Sequence, residues 1–256
     1  MRLAHRTWSE VASYLEEARV LIIPIGSTEQ HGPLGLIGTD ALCAEAVALE
    51  LGEATGALVA PTLNYGMAQH HLGFPGTASL RPSTLIRVVV DCLEGLHRSG
   101  FERFFFVNGH GGNEAPLRSA FAELHAELAR VGRPGADRIR CTLHNWWQLP
   151  EVRTLAAELY GDGEGYHATP SEVALTQHLL PACIHRADLA PTGPCDGAVH
   201  GAEDFRARYP DGRMGSDSGL ARPEHGARFL ATAVSDLMPL FSAFSAFSAE
   251  QTGSAT

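Results

Sequence analysis

The sequence predicts an α/β protein with a largely parallel sheet that is covered by helices on both faces. Short apolar runs alternate along the chain with longer stretches in which apolar residues recur every three or four positions. The first pattern is typical of buried strands and the second of amphipathic helices, and their alternation is typical of parallel sheets. Polar clusters that contain histidine also follow several of the apolar runs, at the edge where such sheets bind ligands.

The apolar runs and the helical periodicity define the elements in order. The predicted strands are residues 20–25, 57–60, 103–107 and 139–143. The predicted helices are residues 8–19, 40–55, 83–99, 114–131, 151–160, 170–180 and 222–244. Ser9 and Asp40 are candidate N-caps for the first two helices. Because residues 191–219 are rich in Gly, Pro and Asp, we expect hairpins and loops there.

Length and composition limit the domain organisation and the classes of partner. The sequence contains no convincing linker, so we expect residues 1–245 to form a single domain and residues 246–256 to form a flexible tail. The net charge of −10, from 19 basic and 29 acidic residues, argues against nucleic-acid and membrane partners. Five cysteines without a CxxC pair, and an N-terminus without an apolar secretion signal, predict a cytoplasmic protein.

The polar clusters predict one site at the carboxyl ends of the strands. Glu29 and His31 follow the first predicted strand, and His110 follows the third. His144 follows the fourth. Since the carboxyl ends of parallel strands meet at the same edge of a sheet, we expect these side chains to lie close together.

The stretch GSTEQHGPLGLIGTD, residues 26–40, has the residue types of a metal site. Glu29 and His31 are two positions apart, so their side chains leave the same face of an extended backbone. Asp40 returns after a loop rich in glycine and proline, and burying all three groups without a cation would be costly. The alternative is a surface glutamate, a histidine that only forms a loop hydrogen bond, and an aspartate that only caps a helix.

His110 lies in a second motif, NGHGGN, between an apolar strand and a helix. The flanking glycines allow a sharp turn and the close approach of a ligand. A phosphate-binding turn at a helix N-terminus is the alternative. The motif lacks the GxGxxG and GxxxxGK spacings of such turns, and a central histidine suits a metal better.

The third motif is HATPSE, which ends at Glu172. Thr169 and Glu172 fit a capping box with Pro170 at the first helical position, which gives the glutamate a structural role. A glutamate in the first turn can also project toward a metal, with His167 beside it. Both roles for Glu172 stay open at this point.

The runs GSTEQHGPLGLIGTD, HLGFPGTASL, RFFFVNGHGGN and HATPSE, in this order, resemble the creatininase (creatinine amidohydrolase) family over about residues 20–180. The resemblance implies a creatininase-like layered α/β fold and a homo-oligomer, usually a hexamer. It also implies two divalent metal ions per subunit, Zn²⁺, Mn²⁺ or Fe²⁺. Carried over by position, Glu29 and His110 would hold one ion and His31 the other. Asp40 would bridge both.

The sequence departs from creatininase at two places. Creatininase has a Tyr-Glu pair, whose glutamate is a metal ligand, where this chain has Gly111 and Gly112. Glu172 is then the available carboxylate. Creatininase also covers its substrate with a tryptophan where this chain has the glycine-rich residues 161–165. Both differences argue against creatinine as the substrate.

The expected function is hydrolysis of a carbon–nitrogen bond other than a peptide bond in a small-molecule substrate. Cyclic amides, formamides and small linear amides are the candidate substrates, with a hydroxide between the two ions as the nucleophile. His167 is the candidate general acid, and Glu172 is the second candidate catalytic residue. The residues expected to bind the substrate are His71, Ser79, Trp146 and Tyr166.

Other readings of the sequence remain open. The first is a metallopeptidase that acts on a small or modified peptide. The second is a metal-binding scaffold without turnover, and the third is a nucleotide-binding α/β protein that uses the GHGGN turn. For Trp146 and Trp147, a place in the core and a place in the pocket wall are equally consistent with the sequence.

Overall fold

A four-stranded parallel sheet forms the centre of the structure, a computed structural model that describes residues 1–192, 195 and 198–246. The strands are β1 (Val20–Ile25), β2 (Leu58–Val59), β3 (Arg103–Asn108) and β4 (Arg140–Asn145), in the spatial order β2-β1-β3-β4. The α-helices of the described residues are α1 (Trp8–Glu17), α2 (Thr39–Thr55), α3 (Pro82–Ser99), α4 (Glu114–Arg130), α5 (Pro150–Tyr160), α6 (Pro170–Leu179), α7 (Ala202–Arg208) and α8 (Pro223–Ser245). Of these, none has the length and apolarity needed to cross a membrane.

The side chains of the two central strands alternate between two apolar layers. Ile22 of β1 and Phe105 of β3 pack on one face of the sheet with α2, α5 and α8. Ile23 and Phe106 pack on the other face with α3 and α4. Because both faces are covered, β1 and the apolar part of β3 are continuous apolar runs. The predicted layered α/β architecture is confirmed.

The observed elements differ from the prediction at the end of β4 and in the region after α6. β4 extends to Asn145, so His144 lies inside the strand instead of after it. The ring of His144 stacks on Phe105 at 4.5 Å between centroids, which places it in the packing between β3 and β4. Part of the region expected to form only hairpins and loops is the helix α7. The expected flexible tail at 246–256 lies outside the described residues from position 247 onward.

The N-caps of α1 and α2 also differ from the prediction. Thr7 caps α1 in place of Ser9, and it forms a capping box with Glu10. α2 starts one residue before Asp40, with Gly38 in the N-cap position and no side-chain cap. Asp40 is therefore not the helix cap, and its carboxylate is free to contribute to the site.

Two glycines allow the first turn of α2 to lie directly against the ends of β1 and β3. A Cβ atom at Gly26 would overlap the backbone of Ala41, and one at Gly109 would overlap the carbonyl oxygen of Asp40. Any side chain at either position would push α2 away from the sheet. The two glycines thus set the depth at which Asp40 enters the carboxyl edge of the sheet.

We expect Gly109→Ala to destabilise the fold by about 3 kcal/mol or more, because the backbone it would strike belongs to a helix packed on the core. Gly95→Ala is the matched control. Gly95 is exposed in the interior of α3, where an added Cβ meets nothing within 4 Å. That substitution should stabilise the protein by about 0.5–1 kcal/mol. Urea unfolding curves of both variants test this; equal stabilities would contradict the close packing of α2.

Candidate metal centre

The carboxyl ends of β1 and β3 bring together the five residues that the sequence analysis proposed as metal ligands. They form two groups of donor atoms, each with all atoms within 4.8 Å of one another. The first group contains Glu29, Asp40 and His110, and the second contains His31, Asp40 and Glu172. The family resemblance implied the same grouping for Glu29, His110, His31 and Asp40. A third group of donor atoms contains Glu29, His31 and His167.

Asp40 belongs to both groups because its two oxygens face different histidines. Oδ1 lies 3.0 Å from Nε2 of His31, and Oδ2 lies 3.3 Å from Nδ1 of His110. The same Nδ1 atom of His110 lies 3.2 Å from Oε1 of Glu29. A carboxylate in this position can bridge two cations.

Glu172 caps a helix, and its position is compatible with the metal-ligand role that the sequence also left open. Its Oε1 atom accepts a hydrogen bond of 2.6 Å from the backbone N–H of Thr169, which completes a capping box at the start of α6. Its Oε2 atom lies 3.9 Å from Nε2 of His31. The helix cap therefore orients the carboxylate, and its second oxygen remains available to a metal ion.

Buried oxygens without partners show that the donor set fits a cation. Glu29 is fully buried and Asp40 is 3% exposed. Within the described residues, both carboxylate oxygens of Glu29 and Oδ2 of Asp40 have no hydrogen-bond partner. Burying ionised carboxylates unpaired costs several kcal/mol per group. Mixed carboxylate and imidazole ligands suit divalent Zn, Mn and Fe, so these residues fit a two-metal centre.

Backbone carbonyls fix which ring nitrogen of each histidine faces the carboxylates. Nδ1 of His31 donates to the carbonyl oxygen of Glu29 at 3.1 Å, and Nε2 of His110 donates to that of Met67 at 2.9 Å. A carbonyl oxygen only accepts, so the second nitrogen of each ring carries a lone pair when the ring is neutral. Histidine ligands of metals are typically held in this way.

The NGHGGN turn is held by hydrogen bonds and leaves no room for a side chain at its third glycine, Gly112. Asn108 accepts a hydrogen bond from the backbone N–H of His110 at 3.1 Å, and its amide nitrogen donates to Asn145 at 2.8 Å. A Cβ atom at Gly112 would overlap both the ring of His110 and the carbonyl oxygen of Met67. The turn itself therefore supplies no further ligand, and the second group takes its carboxylate from Glu172.

His167, which shares a donor group with Glu29 and His31, is held by Gln30, a residue that the sequence analysis missed. Nε2 of His167 donates to the carbonyl oxygen of Gln30 at 2.7 Å, so its Nδ1 atom is the free nitrogen, 3.7 Å from Glu29. The side chain of Gln30 donates to Nδ1 of His71 at 3.0 Å. The position of Gln30 between Glu29 and His31 was the signal that could have found it.

His71 packs against Glu29 and His167 in the protein interior. We expected it in the substrate pocket, and the structure places it outside the cavity. It is buried and stacks on the ring of His167 at 4.1 Å between centroids. Its Nε2 atom lies 3.3 Å from Oε1 of Glu29. His71 thus orients Glu29 and His167 and does not line the cavity described below.

Charges in the cluster shift the pKa values of its members. Burial alone would lower the pKa of His31, but the carboxylates of Asp40 and Glu172 raise it to about 10. Against burial, Glu29 and Asp40 also raise the pKa of His110 well above its usual value. Burial raises the pKa of Glu172 to about 7. In the absence of a metal, protons on the two histidines therefore balance the buried carboxylates.

A cavity of about 450 Å³ opens from the donor groups to the surface. Asp40, His110 and Glu172 line its buried end together with His167. Its outer part is lined by residues that include Gly111, Glu114, Trp147, Gln148, Arg153 and Tyr166. The cavity gives a small molecule access to the candidate metal centre.

Two residues expected to bind the substrate do not line this cavity. Trp146 is 1% exposed and packs in the core, and its neighbour Trp147 forms part of the cavity wall instead. The hydroxyl of Ser79 accepts from the backbone N–H of Ala68 and donates to a backbone carbonyl, so it is structural. Tyr166 does line the cavity, at the rim, and is 75% exposed.

The chain matches known proteins over most of its length. The family model described as "Creatininase: Creatinine amidohydrolase" matches residues 4–241. A 3-dehydro-scyllo-inosose hydrolase of Thermotoga maritima is 34% identical over 191 residues, which cover 73% of this chain and 59% of the relative. A mycofactocin precursor peptide peptidase of Mycolicibacterium smegmatis is 42% identical over 120 residues, which cover 44% of this chain and 48% of the relative. The chain thus spans about half to three fifths of these relatives' length.

Solved structures of creatininase match the fold of almost the whole chain. A crystal structure of creatinine amidohydrolase superposes with a TM-score of 0.85 at 25% identity, and the match covers 96% of this chain and 98% of that chain. A manganese form of creatininase and a zinc–zinc form of a creatininase mutant superpose with TM-scores of 0.83 and 0.82, each at 26% identity and over 95% of this chain and 98% of theirs.

The protonated histidines predict that metal binding releases protons. At pH 8 we expect metal binding to release protons from His31, whose pKa is raised to about 10, and from His110, whose pKa is raised well above its usual value, because ligands must be deprotonated to bind. At pH 6, below its pKa of about 7, Glu172 should add about one more. Calorimetric titrations of the metal-free protein with Zn²⁺, in buffers of different ionisation enthalpy, count these protons. In Glu172→Gln the increase toward pH 6 should disappear; a release well below one proton at either pH would contradict the assigned ligands.

Proposed function

The chain belongs to the creatininase family, and on this basis we propose that it is a metal-dependent amidohydrolase that cleaves a carbon–nitrogen bond other than a peptide bond. The observation that carries the proposal is the pair of donor groups that share Asp40 at the end of an open cavity. A purely structural metal site has a closed set of ligands and no such access, so the cavity argues against a scaffold without turnover.

We propose that Glu29 and His110 hold one divalent ion, that His31 and Glu172 hold the other, and that Asp40 holds both. The unpartnered oxygens of Glu29 and Asp40 support this assignment. The metal forms of creatininase support Mn²⁺ and Zn²⁺ as candidates, and the ligand types also suit Fe²⁺. When bound, such ions acidify a water molecule and polarise a carbonyl group.

His167 is the residue that we propose moves the proton. Burial lowers its pKa to about 3, so the ring is neutral and Nδ1 is free to accept a proton. Nε2 stays bonded to the carbonyl oxygen of Gln30, which holds the ring in place during the transfer. Nδ1 would take the proton from the attacking water and return it to the leaving nitrogen of the amide.

The shape of the cavity favours an amide other than creatinine as the substrate. Gly111 has no side chain on the cavity wall, and a Cβ atom there would meet only the ring of Trp147, at 3.9 Å. The wall formed by residues 161–165 carries Glu164 and glycines, without an aromatic cover. The open space next to Trp147 admits a more extended substrate, such as a formamide or a small linear amide.

A metallopeptidase acting on a small or modified peptide is the second candidate function. The chain is 42% identical over 120 residues to the mycofactocin precursor peptide peptidase, and this similarity favours a peptidase. The exposed cavity rim at Tyr166 and Gln148 is also compatible with a longer chain. The same catalytic groups would serve both reactions, so the two functions differ in the substrates that the outer cavity accepts.

The assembly and location of the protein remain proposals. We propose a homo-oligomer, a hexamer by family resemblance, and a cytoplasmic location. The five cysteines are all free thiols, which supports a reducing compartment. We also propose that residues 1–245 form one domain, because α8 packs on the same apolar layer as α2 and α5.

The shared ligand predicts different metal losses in two variants. Asp40→Ala should empty both sites, whereas Glu172→Gln should weaken mainly one, because glutamine keeps the capping box but loses the negative charge. Elemental analysis of the metal-loaded proteins measures the ions retained. Glu114→Gln, on the cavity wall but in neither donor group, should keep both ions. Two ions and full activity in Glu172→Gln would show that this residue only caps the helix.

The proposed reaction is tested with a panel of lactams, formamides, linear amides, ureas and dipeptides. We expect turnover of at least one non-peptide amide by the metal-loaded protein, and loss of turnover on chelation. His167→Ala should lower kcat by about 10²–10⁴-fold with metal content unchanged. His125→Ala, an exposed position on α4, is the control and should leave kcat unchanged. Cleavage of dipeptides alone would favour the peptidase, and full turnover in His167→Ala would refute its role.

A further inference from the structure

The cavity changes in chemical character between its buried and exposed ends. Its buried end holds the carboxylates and histidines of the candidate metal centre. Its outer part is lined by the exposed residues Arg153, Gln148 and Gly111, and by the half-buried Glu114. A substrate whose amide lies at the buried end would therefore extend toward the guanidinium of Arg153.

Arg153 lines the cavity with a charge that pairs with no other described residue. Within the described residues, its guanidinium has no hydrogen-bond or ion-pair partner, and its backbone N–H bonds to Leu149. Arg228 contacts Glu158 at 3.2 Å, and Arg213 contacts Asp211 at 2.6 Å. Arg81 and Arg118 also lack such a partner in the described part of the chain, but they do not line this cavity. The cation on the cavity rim is therefore available to a ligand.

Helix α5 contributes Arg153 and several small residues to the wall of the cavity. Ala156 and Ala157, three and four positions later, line the same cavity, as does Gly161 after the helix ends. This spacing puts the four residues on one side of the helix. Because their side chains are small, the wall between the guanidinium and the buried end leaves room for an extended ligand.

The carboxylates that line the cavity outside the donor groups do not neutralise Arg153. Glu114 lies 3.5 Å from the side-chain amide of Gln148, and its carboxylate makes no ion pair with Arg153. Glu164 accepts a hydrogen bond from Ser171 deeper in the wall. An incoming carboxylate would thus meet a guanidinium that has no competing partner in the described part of the chain.

We propose that the substrate is a linear amide with a carboxylate at the end remote from the cleaved bond, and that Arg153 binds this carboxylate. This inference rests on the proposed amidohydrolase function and names its substrate class. A single guanidinium pairs with a carboxylate through two parallel hydrogen bonds, which also fixes orientation. Arg153 is thus a specificity-determining residue, and the ω-carboxy amides of short dicarboxylic acids are the simplest members of the class.

The test compares acids with their neutral counterparts. Succinamic, glutaramic and adipamic acids are each assayed against the matching diamide, with metal-loaded wild type, Arg153→Ala and Arg153→Lys. For at least one chain length we expect wild type to prefer the acid by roughly tenfold or more in kcat/KM. Arg153→Ala should abolish this preference through KM, and Arg153→Lys should restore part of it. Arg87→Ala, an exposed arginine on α3 outside the cavity, should keep the preference.

A binding measurement separates failure of this inference from failure of the proposed function. Glutarate is titrated calorimetrically into metal-loaded wild type and Arg153→Ala, where we expect affinity to fall roughly tenfold. If no amide is cleaved but glutarate binding depends on Arg153, the proposed function fails and the carboxylate site stands. If Arg153→Ala changes neither the acid preference nor glutarate affinity, or if wild type cleaves diamides as well as acids, the inference is overturned.

Discussion

The structure depends on the burial of two carboxylates, Glu29 and Asp40. Both oxygens of Glu29 and Oδ2 of Asp40 lack hydrogen-bond partners within the described residues. Such burial is costly unless a cation is present. The surrounding fold maintains it: Gly26 and Gly109 let α2 approach the sheet, and α2 holds Asp40 between two histidines. The packing of the α/β core and the chemistry of the site are therefore consequences of the same close approach.

Backbone groups outside the candidate metal ligands fix the orientation of the ligand side chains. Backbone carbonyls hold one ring nitrogen of His31 and of His110, and the capping box of α6 holds one oxygen of Glu172. In each case the second atom remains directed at the shared site. Gln30 does the same for His167. The orientation of the ligands thus comes from local backbone structure, and the cavity beyond them is free to vary in shape.

The sequence predicted the sheet and the five donor residues because both follow from local patterns, namely apolar runs and the polar motifs after them. It could not place residues whose role depends on an exact strand end or on packing. β4 continues to Asn145, which moves His144 into the sheet, and the turn after it buries Trp146 and exposes Trp147 to the cavity. Arg153 lies in the predicted helix 151–160, and no local pattern distinguishes it from other exposed arginines; its place on the cavity follows from tertiary packing.

The central claim is that Asp40 joins two cation sites, and anomalous X-ray diffraction from crystals grown with Zn²⁺ tests it most directly. Data collected on either side of the zinc absorption edge locate each ion independently of the protein atoms. The account predicts two peaks about 3.5–4 Å apart, both in contact with Asp40, one beside His110 and the other beside His31. A single peak, or two peaks of which only one contacts Asp40, would contradict it.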